Sequence, residues 1–240
     1  MPQAYPARST RRNGKPRFCD AGHIARRDAA ARSTAQEGAV SLTDADRPKD
    51  SRPILLAGHK VGLALMLKED VPALARWNQN LEFTARMGSP GEAHSLEMRQ
   101  EFYDKNARMR ADSIEFAVLL LATGQLIGFG GLFDISRAMT ATLFVGIGER
   151  DHWGQGHGTE ATRLICEYGF FFRSLHSIKV EVNGYNRRAI CVYERLGFKL
   201  VGRLRDVIVM NGKRYDQVTM DLLRHELTQE HAARFENLEK

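Results

Sequence analysis

Apolar residues are thinly scattered through the first fifty positions and then arrive in blocks whose spacing predicts the elements. Val61–Leu67 is a compact apolar run of strand length. Glu69 and Asp70 precede Pro72, which suits a first helical turn: acids favour the dipole, and proline lacks only a donor that the turn leaves unused. Val71, Leu74 and Ala75 then make one apolar face. Thr84–Ser95 contains Gly88, Ser89, Pro90 and Gly91 and predicts a loop, and Leu96–Met109 predicts a second helix. Ile114–Leu121 and Leu126–Phe133 are apolar strands around the turn Ala122–Gln125, spaced as an antiparallel hairpin. Thr140–Ile147 is a third strand, followed by a glycine-rich turn and a helix over about Thr159–Arg173. In that helix Ala161, Leu164, Ile165, Tyr168 and Phe172 recur at helical spacing. Ile178–Val182 reads as a strand and Asn186–Leu196 as a helix stopped by Gly197. Phe198–Met210 and Tyr215–Leu223 are strands around Asn211-Gly212, a strong hairpin signal.

Hairpin-linked strands beside helical crossovers require antiparallel and parallel neighbours in one sheet. The fold class is therefore α/β, a mixed central sheet with flanking helices. A doubly wound sheet would alternate strand and helix throughout, and this chain does not.

Composition refines the boundaries. The 240 residues, 43% hydrophobic and 27% charged, suit one folded domain. Residues 1–50, rich in Arg, Ala and Ser, predict a disordered basic tail, since they hold too little apolar surface to offset ordering. An acid-poor, Arg-rich start also fits an organelle transit peptide. The domain is expected over 51–224, followed by a charged tail over 225–240 for which a helix is the expected form. Residues 1–36 carry eight basic residues against Asp20 and Asp28, a surplus equal to the chain's whole net charge of +6. The rest is neutral, so charge gives no reason to expect nucleic-acid binding except through the tail. No apolar run approaches the roughly 20 residues of a membrane span, and no signal-peptide core opens the chain. Three cysteines without a CxxC pair predict a reducing compartment and no disulfide framework. The expected location is the cytoplasm. Eight histidines without HExxH or a Cys/His cluster predict no metal.

The chemistry concentrates in Trp153-Gly154-Gln155-Gly156-His157-Gly158-Thr159, which joins a strand to a helix. Absent side chains let backbone amides approach a ligand, and the helix start adds free N–H groups and about half a positive charge. Such a turn can hold a phosphate without lysine. A nucleoside-triphosphate loop would need GxxxxGK and then Ser or Thr, which is absent, and the late position after a hairpin argues against a dinucleotide fold. The diphosphate of coenzyme A remains.

At this point the sequence resembles the GNAT superfamily of acyl-CoA-dependent N-acyltransferases. Trp153–Thr159 is similar to the family's pyrophosphate loop, (Gln/Arg)-x-x-Gly-x-(Gly/Ala), with Trp153 standing where many members have Gln or Arg. Asn186–Phe198 resembles the second motif, Asn-x-x-Ala-x-x-x-Tyr-x-x-x-Gly-Phe, on Asn186, Ala189, Tyr193, Gly197 and Phe198. The branch it resembles contains ribosomal-protein N-terminal acetyltransferases and spermidine acetyltransferases. The resemblance implies acetyl-CoA as co-substrate and direct attack by an amine in a ternary complex. It implies that Phe144, Val145, Gly146 and Ile147 lie along the pantetheine arm, with backbone amides toward the thioester carbonyl between splayed strands. Trp153, Gly154, Gln155, Gly156, His157, Gly158 and Thr159 would hold the pyrophosphate, while Asn186 and Ala189 would orient the pantetheine. Tyr193 would protonate the departing thiolate as general acid, being protonated at neutral pH.

A base is also needed, and Glu149, Asp134 and Glu115 are the carboxylates near the right strand ends. A water chain is the alternative. His157 is expected to face solvent, and Cys166 and Cys191 to be core residues. Acceptor choice is expected in Thr84–His94 and Asn211–Lys213. The first of these lacks the acidic cluster a polycation would favour. A protein N-terminus is therefore the leading acceptor, and spermidine or another small amine, an antibiotic amine included, is the alternative. An acyl-CoA-binding module without turnover is a third reading. Self-association into a homodimer is left open.

Overall fold

The computed structural model describes residues 52–89, 91–109 and 112–227. The expectations placed on residues 1–50 and on the chain beyond Leu227 lie outside them. The strands are β1 (Leu56–Ala57), β2 (Val61–Leu65), β3 (Ile114–Leu120), β4 (Leu126–Phe133), β5 (Thr140–Ile147), β6 (Ser177–Asn183), β7 (Lys199–Met210) and β8 (Lys213–Leu223). The helices are α1 (Val71–Asn78), α2 (Leu81–Met87), α3 (Leu96–Met109), α4 (His157–Glu167) and α5 (Arg187–Arg195). One eight-stranded sheet runs in the order β1-β2-β3-β4-β5-β6-β8-β7. Among the described strands only β5 and β6 are parallel neighbours, because β8 inserts between β6 and β7.

Both predicted hairpins are present, β3–β4 and β7–β8. Helix α2 was expected to be loop from Thr84 onward. Asn80 begins it, its side chain accepting from the Glu82 and Phe83 amides at 3.0 and 3.3 Å, and Gly88 ends it at φ 104°. Seven residues are too few to show a helical period, which is why the pattern hides it. Helix α4 starts at His157, two residues before the expected Thr159, and passes into a π turn over Tyr168–Phe172.

Two layers cover the sheet. On one face Trp77 and Phe83 from α1 and α2 pack with Ala64, Ala117 and Phe129. Trp77 stacks on Phe129 at 6.1 Å between centroids. On the other face α4 buries Ala161, Leu164 and Ile165 completely. Cys166 is a free, buried thiol on that helix. Cys191 is half-buried on α5 rather than in the core.

Glu160 ties the second layer to the sheet. Its carboxylate, 8% exposed, accepts backbone N–H groups from His59, from Lys60 at 3.0 Å and from Val61 at 3.3 Å. Replacing Glu160 with Gln turns one of these acceptors into a donor. The expected loss is about 1–2 kcal/mol of stability, read as a lower thermal midpoint. An unchanged melt would show that the link contributes nothing.

Candidate active site

The glycine turn sits where a phosphate could reach it. Gly154 and Gly156 have φ 85° and 89°, in the left-handed region that favours glycine. A Cβ on Gly156 would meet nothing within 4 Å, so its backbone is open on that side. Gly156 is the residue before α4, and the first helical amides, at His157, Gly158 and Thr159, have no carbonyl a turn earlier to bond. Lys60 donates from Nζ to the Gln155 carbonyl at 3.0 Å, which places a cation on the turn. His157 does not face solvent as expected. It is 5% exposed, with Nδ1 3.2 Å from the His152 carbonyl.

The slot next to the turn follows from register. β5 and β6 pair only at Thr140–Ser177, Ala141–Ile178 and Thr142–Lys179, after which the ladder ends. β5 stays paired with β4 through Ile147. The Gly148 amide bonds the Ile127 carbonyl at 2.9 Å, and hydrogen-bonded pairs alternate along an antiparallel ladder. Residues 144 and 146 therefore turn their amides toward β4, while 143, 145 and 147 turn theirs into the gap beside β6. Of the predicted quartet Phe144–Ile147, Val145 and Ile147 hold backbone groups facing that gap. The Ile147 carbonyl is already taken by the Trp153 indole N–H at 2.6 Å. Trp153 thus anchors the glycine turn to the end of β5. Arg86 and Arg150 lie over its ring at 5.0 and 5.8 Å from the centroid, and both pair with Glu82 at 2.8 Å.

Asn186 has both ends of its amide occupied. Its Oδ1 accepts from the Ala189 amide at 3.2 Å, capping α5, and its Nδ2 donates to the Arg86 carbonyl at 3.0 Å. Tyr185 adds a second tie, donating to the Ala85 carbonyl at 2.6 Å. Together they fasten the start of α5 to the end of α2. Tyr193 is 8% exposed, with its ring 5.3 Å from Phe198. Burial raises its pKa above the ordinary phenol value, and the neighbouring Cys166 adds to the rise.

A cavity of about 530 Å³ opens on the α1–α2 face of the sheet. Phe144 lines it, as do Phe129, Tyr103, Arg99, Glu92 and Glu115. It draws on the segment expected to choose the acceptor, Thr84–His94. The Asn211–Lys213 turn does not line it.

A family model described as "Acetyltransferase (GNAT) domain" matches residues 60–199. The chain belongs to this family. A spermidine N(1)-acetyltransferase of Escherichia coli (strain K12) is 26% identical over 176 residues, 73% of this chain and 92% of that one. A probable N-acetyltransferase, YjcK, of Bacillus subtilis (strain 168) is 31% identical over 127 residues, 52% of this chain and 70% of that one. Among solved structures, a spermidine N-acetyltransferase from Vibrio cholerae in complex with CoA and spermine aligns with TM-score 0.65 at 23% identity, covering 70% of this chain and 97% of that chain.

As a GNAT domain the chain is an acyl-CoA-dependent N-acetyltransferase, and acetyl-CoA is its co-substrate. The open glycine backbone and the unpaired edge of β5 fit that donor. Among the described residues no group of three or more His, Cys, Asp or Glu could hold a metal ion, and no helix is long and apolar enough to cross a membrane. Sequence reasoning missed Arg99 and Tyr103, which reach the GNAT cavity from α3. Neither belongs to a motif, and only the packing of α3 over β3 and β4 reveals them. The three candidate carboxylates separate clearly. Glu149 is engaged by the Trp77 indole at 3.1 Å and by Arg76. Asp134 is exposed at a positive φ of 53°. Glu115 alone of the three lines the cavity.

Proposed function

We propose that this chain transfers the acetyl group of acetyl-CoA to a primary amine of the polyamine class, seated in the cavity beside Phe144. The observation that carries this reading is the end of the β5–β6 ladder after Thr142, next to a cavity lined by the same strand. The relatives named for spermidine favour a polyamine over the protein N-terminus expected first. Glu92 and Glu115 in the cavity suit the alternative too, since each can face one ammonium group.

When bound, acetyl-CoA supplies an acetyl group activated as a thioester. Gly154, Gly156, Gly158 and Thr159 would hold the diphosphate through main-chain N–H groups and the helix start. The Val145 amide, turned into the gap, would stabilise the negative charge that develops on the carbonyl oxygen as the amine attacks. Tyr193 would deliver a proton to the departing sulfur, and its raised pKa keeps that proton in place until then. Asn186 would act on the pantetheine side by fixing α5 against α2.

The test is a panel of amines with acetyl-CoA, read as free thiol. Spermidine and spermine are expected to exceed peptides with free N-termini by at least about tenfold in kcat/KM, roughly the factor that 1.4 kcal/mol of differential transition-state binding supplies. Peptides outrunning both polyamines would reverse the acceptor assignment.

A further inference from the structure

We propose that Glu115 is the base that takes the proton from the acceptor ammonium before attack. The assignment rests on the acetyl-transfer reading above and names a residue of that same site.

Geometry points to it first. Glu115 pairs with Gly131 across β3 and β4, and Gly131 pairs with Phe144 across β4 and β5. The three form one row across the sheet, and directly opposed residues share a face. Adjacent strands lie about 4.8 Å apart, so Glu115 stands two strands, about 10 Å at the backbone, from the edge of the gap. Between them Gly131 contributes no side chain. A Cβ there would meet the Ile114 carbonyl at 2.0 Å, so no other residue fits this position without moving β3. The row therefore holds a carboxylate at one end, a bare backbone in the middle and the donor strand at the other. An amine between Glu115 and Phe144 would reach both, directly or through one water.

The second observation is the state of the carboxylate. No side chain or amide of the described residues hydrogen-bonds or ion-pairs with Glu115, although it is largely withdrawn from water. Burial raises its pKa above the ordinary carboxylate value, and the charge of Arg99 partly offsets that rise. The titratable groups facing it are Arg99 and Tyr103 from α3 and Glu92 and His94 from the preceding loop; β4 and β5 present apolar and aromatic groups. Arg99 lies over Phe102 and Phe129 at 5.3 and 5.8 Å from their centroids, and its buried Nε has no hydrogen-bond partner. A fixed cation beside the reacting nitrogen favours the neutral amine over the ammonium, which is the form that attacks.

The step balances as follows. The ammonium N–H bond breaks, its electron pair stays on nitrogen, and the proton goes to Glu115 and on to solvent through the cavity mouth. The nitrogen then forms the C–N bond while the C–S pair leaves with sulfur, which receives the Tyr193 proton. Nitrogen releases its second proton to solvent, and Tyr193 recovers one from solvent.

The test uses the full chain, acetyl-CoA and the best amine of the panel. Glu115→Gln is expected to lower kcat at pH 7 on the order of 10²-fold, with KM for acetyl-CoA unchanged. Its rate should climb toward wild type as the pH approaches the amine's own pKa, where solvent has already removed the proton. Arg99→Met leaves Glu115 in place and should move the acidic limb of kcat/KM to higher pH, because the charge opposing the rise is gone. Glu115→Asp should keep an acidic limb at reduced kcat. A Glu115→Gln protein within threefold of wild type across the pH range would overturn the assignment, as would an acidic limb unmoved in Arg99→Met. Wild type inert toward every amine would overturn the acetyl-transfer reading and this inference with it.

Discussion

Replacing Tyr193 with phenylalanine is expected to lower kcat on the order of 10³-fold while leaving the affinity for acetyl-CoA intact, the range a general acid supplies. The substitution removes one oxygen and keeps the ring against Phe198, so the local packing survives. Under the proposed mechanism, what would be lost is the proton for the departing sulfur. Burial and the adjacent Cys166 both push the phenol pKa up, so the tyrosine stays protonated across the working range. Ionisation of Tyr193 should therefore impose no basic limb on the rate. The measurement is kcat by thiol release together with calorimetric binding of CoA. A variant that turns over within threefold of wild type would remove Tyr193 from the mechanism, and lost CoA binding would make its role structural.

The second large effect is on stability. A Cβ on Gly148 would stand 1.9 Å from Cδ2 of Trp77, inside the indole itself. Trp77 is 3% exposed, stacks on Phe129 and donates to Glu149. Gly148→Ala must therefore push the indole out of its place, which forfeits much of what a buried tryptophan contributes. The expected cost is about 3–5 kcal/mol, the range for truncating a large aromatic in a core. Against a total of about 5–15 kcal/mol, that leaves a marginal or unfolded protein. Urea unfolding of the variant should show a midpoint far below that of wild type. An unchanged midpoint would mean the helix layer moves away from β5 freely. Gly146 makes the same point on a smaller scale: a Cβ there would meet the Met87 sulfur at 2.4 Å and Phe83 at 3.0 Å.

Such close approaches explain why part of the site could not be seen in the sequence. Gly128, Gly130, Gly131, Gly146 and Gly148 read as ordinary glycines in apolar strands. In the fold their missing side chains let β3, β4 and β5 and the two layers close on one another. The α2 helix was hidden for a related reason. Its stability comes from Phe83 packing over Gly146 and from the Asn80 cap, and seven residues of pattern carry little of that. Likewise His157 looked like a solvent-facing residue in a glycine turn, and its burial depends on α4 beginning two residues early.

The amino-acid order by itself determined the element types except β1 and α2, together with the two hairpins, the glycine turn before α4 and the Asn186–Phe198 motif. Those features depend on neighbours a few residues apart, where periodicity, caps and turn residues act directly. It also supplied the family through the two motifs. Only the tertiary structure decided that β8 inserts between β6 and β7, that Val145 rather than Phe144 turns its amide into the gap, and that Glu115 shares a cavity with Arg99. Each of these rests on register or packing between segments far apart in the chain. A one-residue change of register turns a backbone amide or a side chain to the opposite side, and no local pattern fixes that choice.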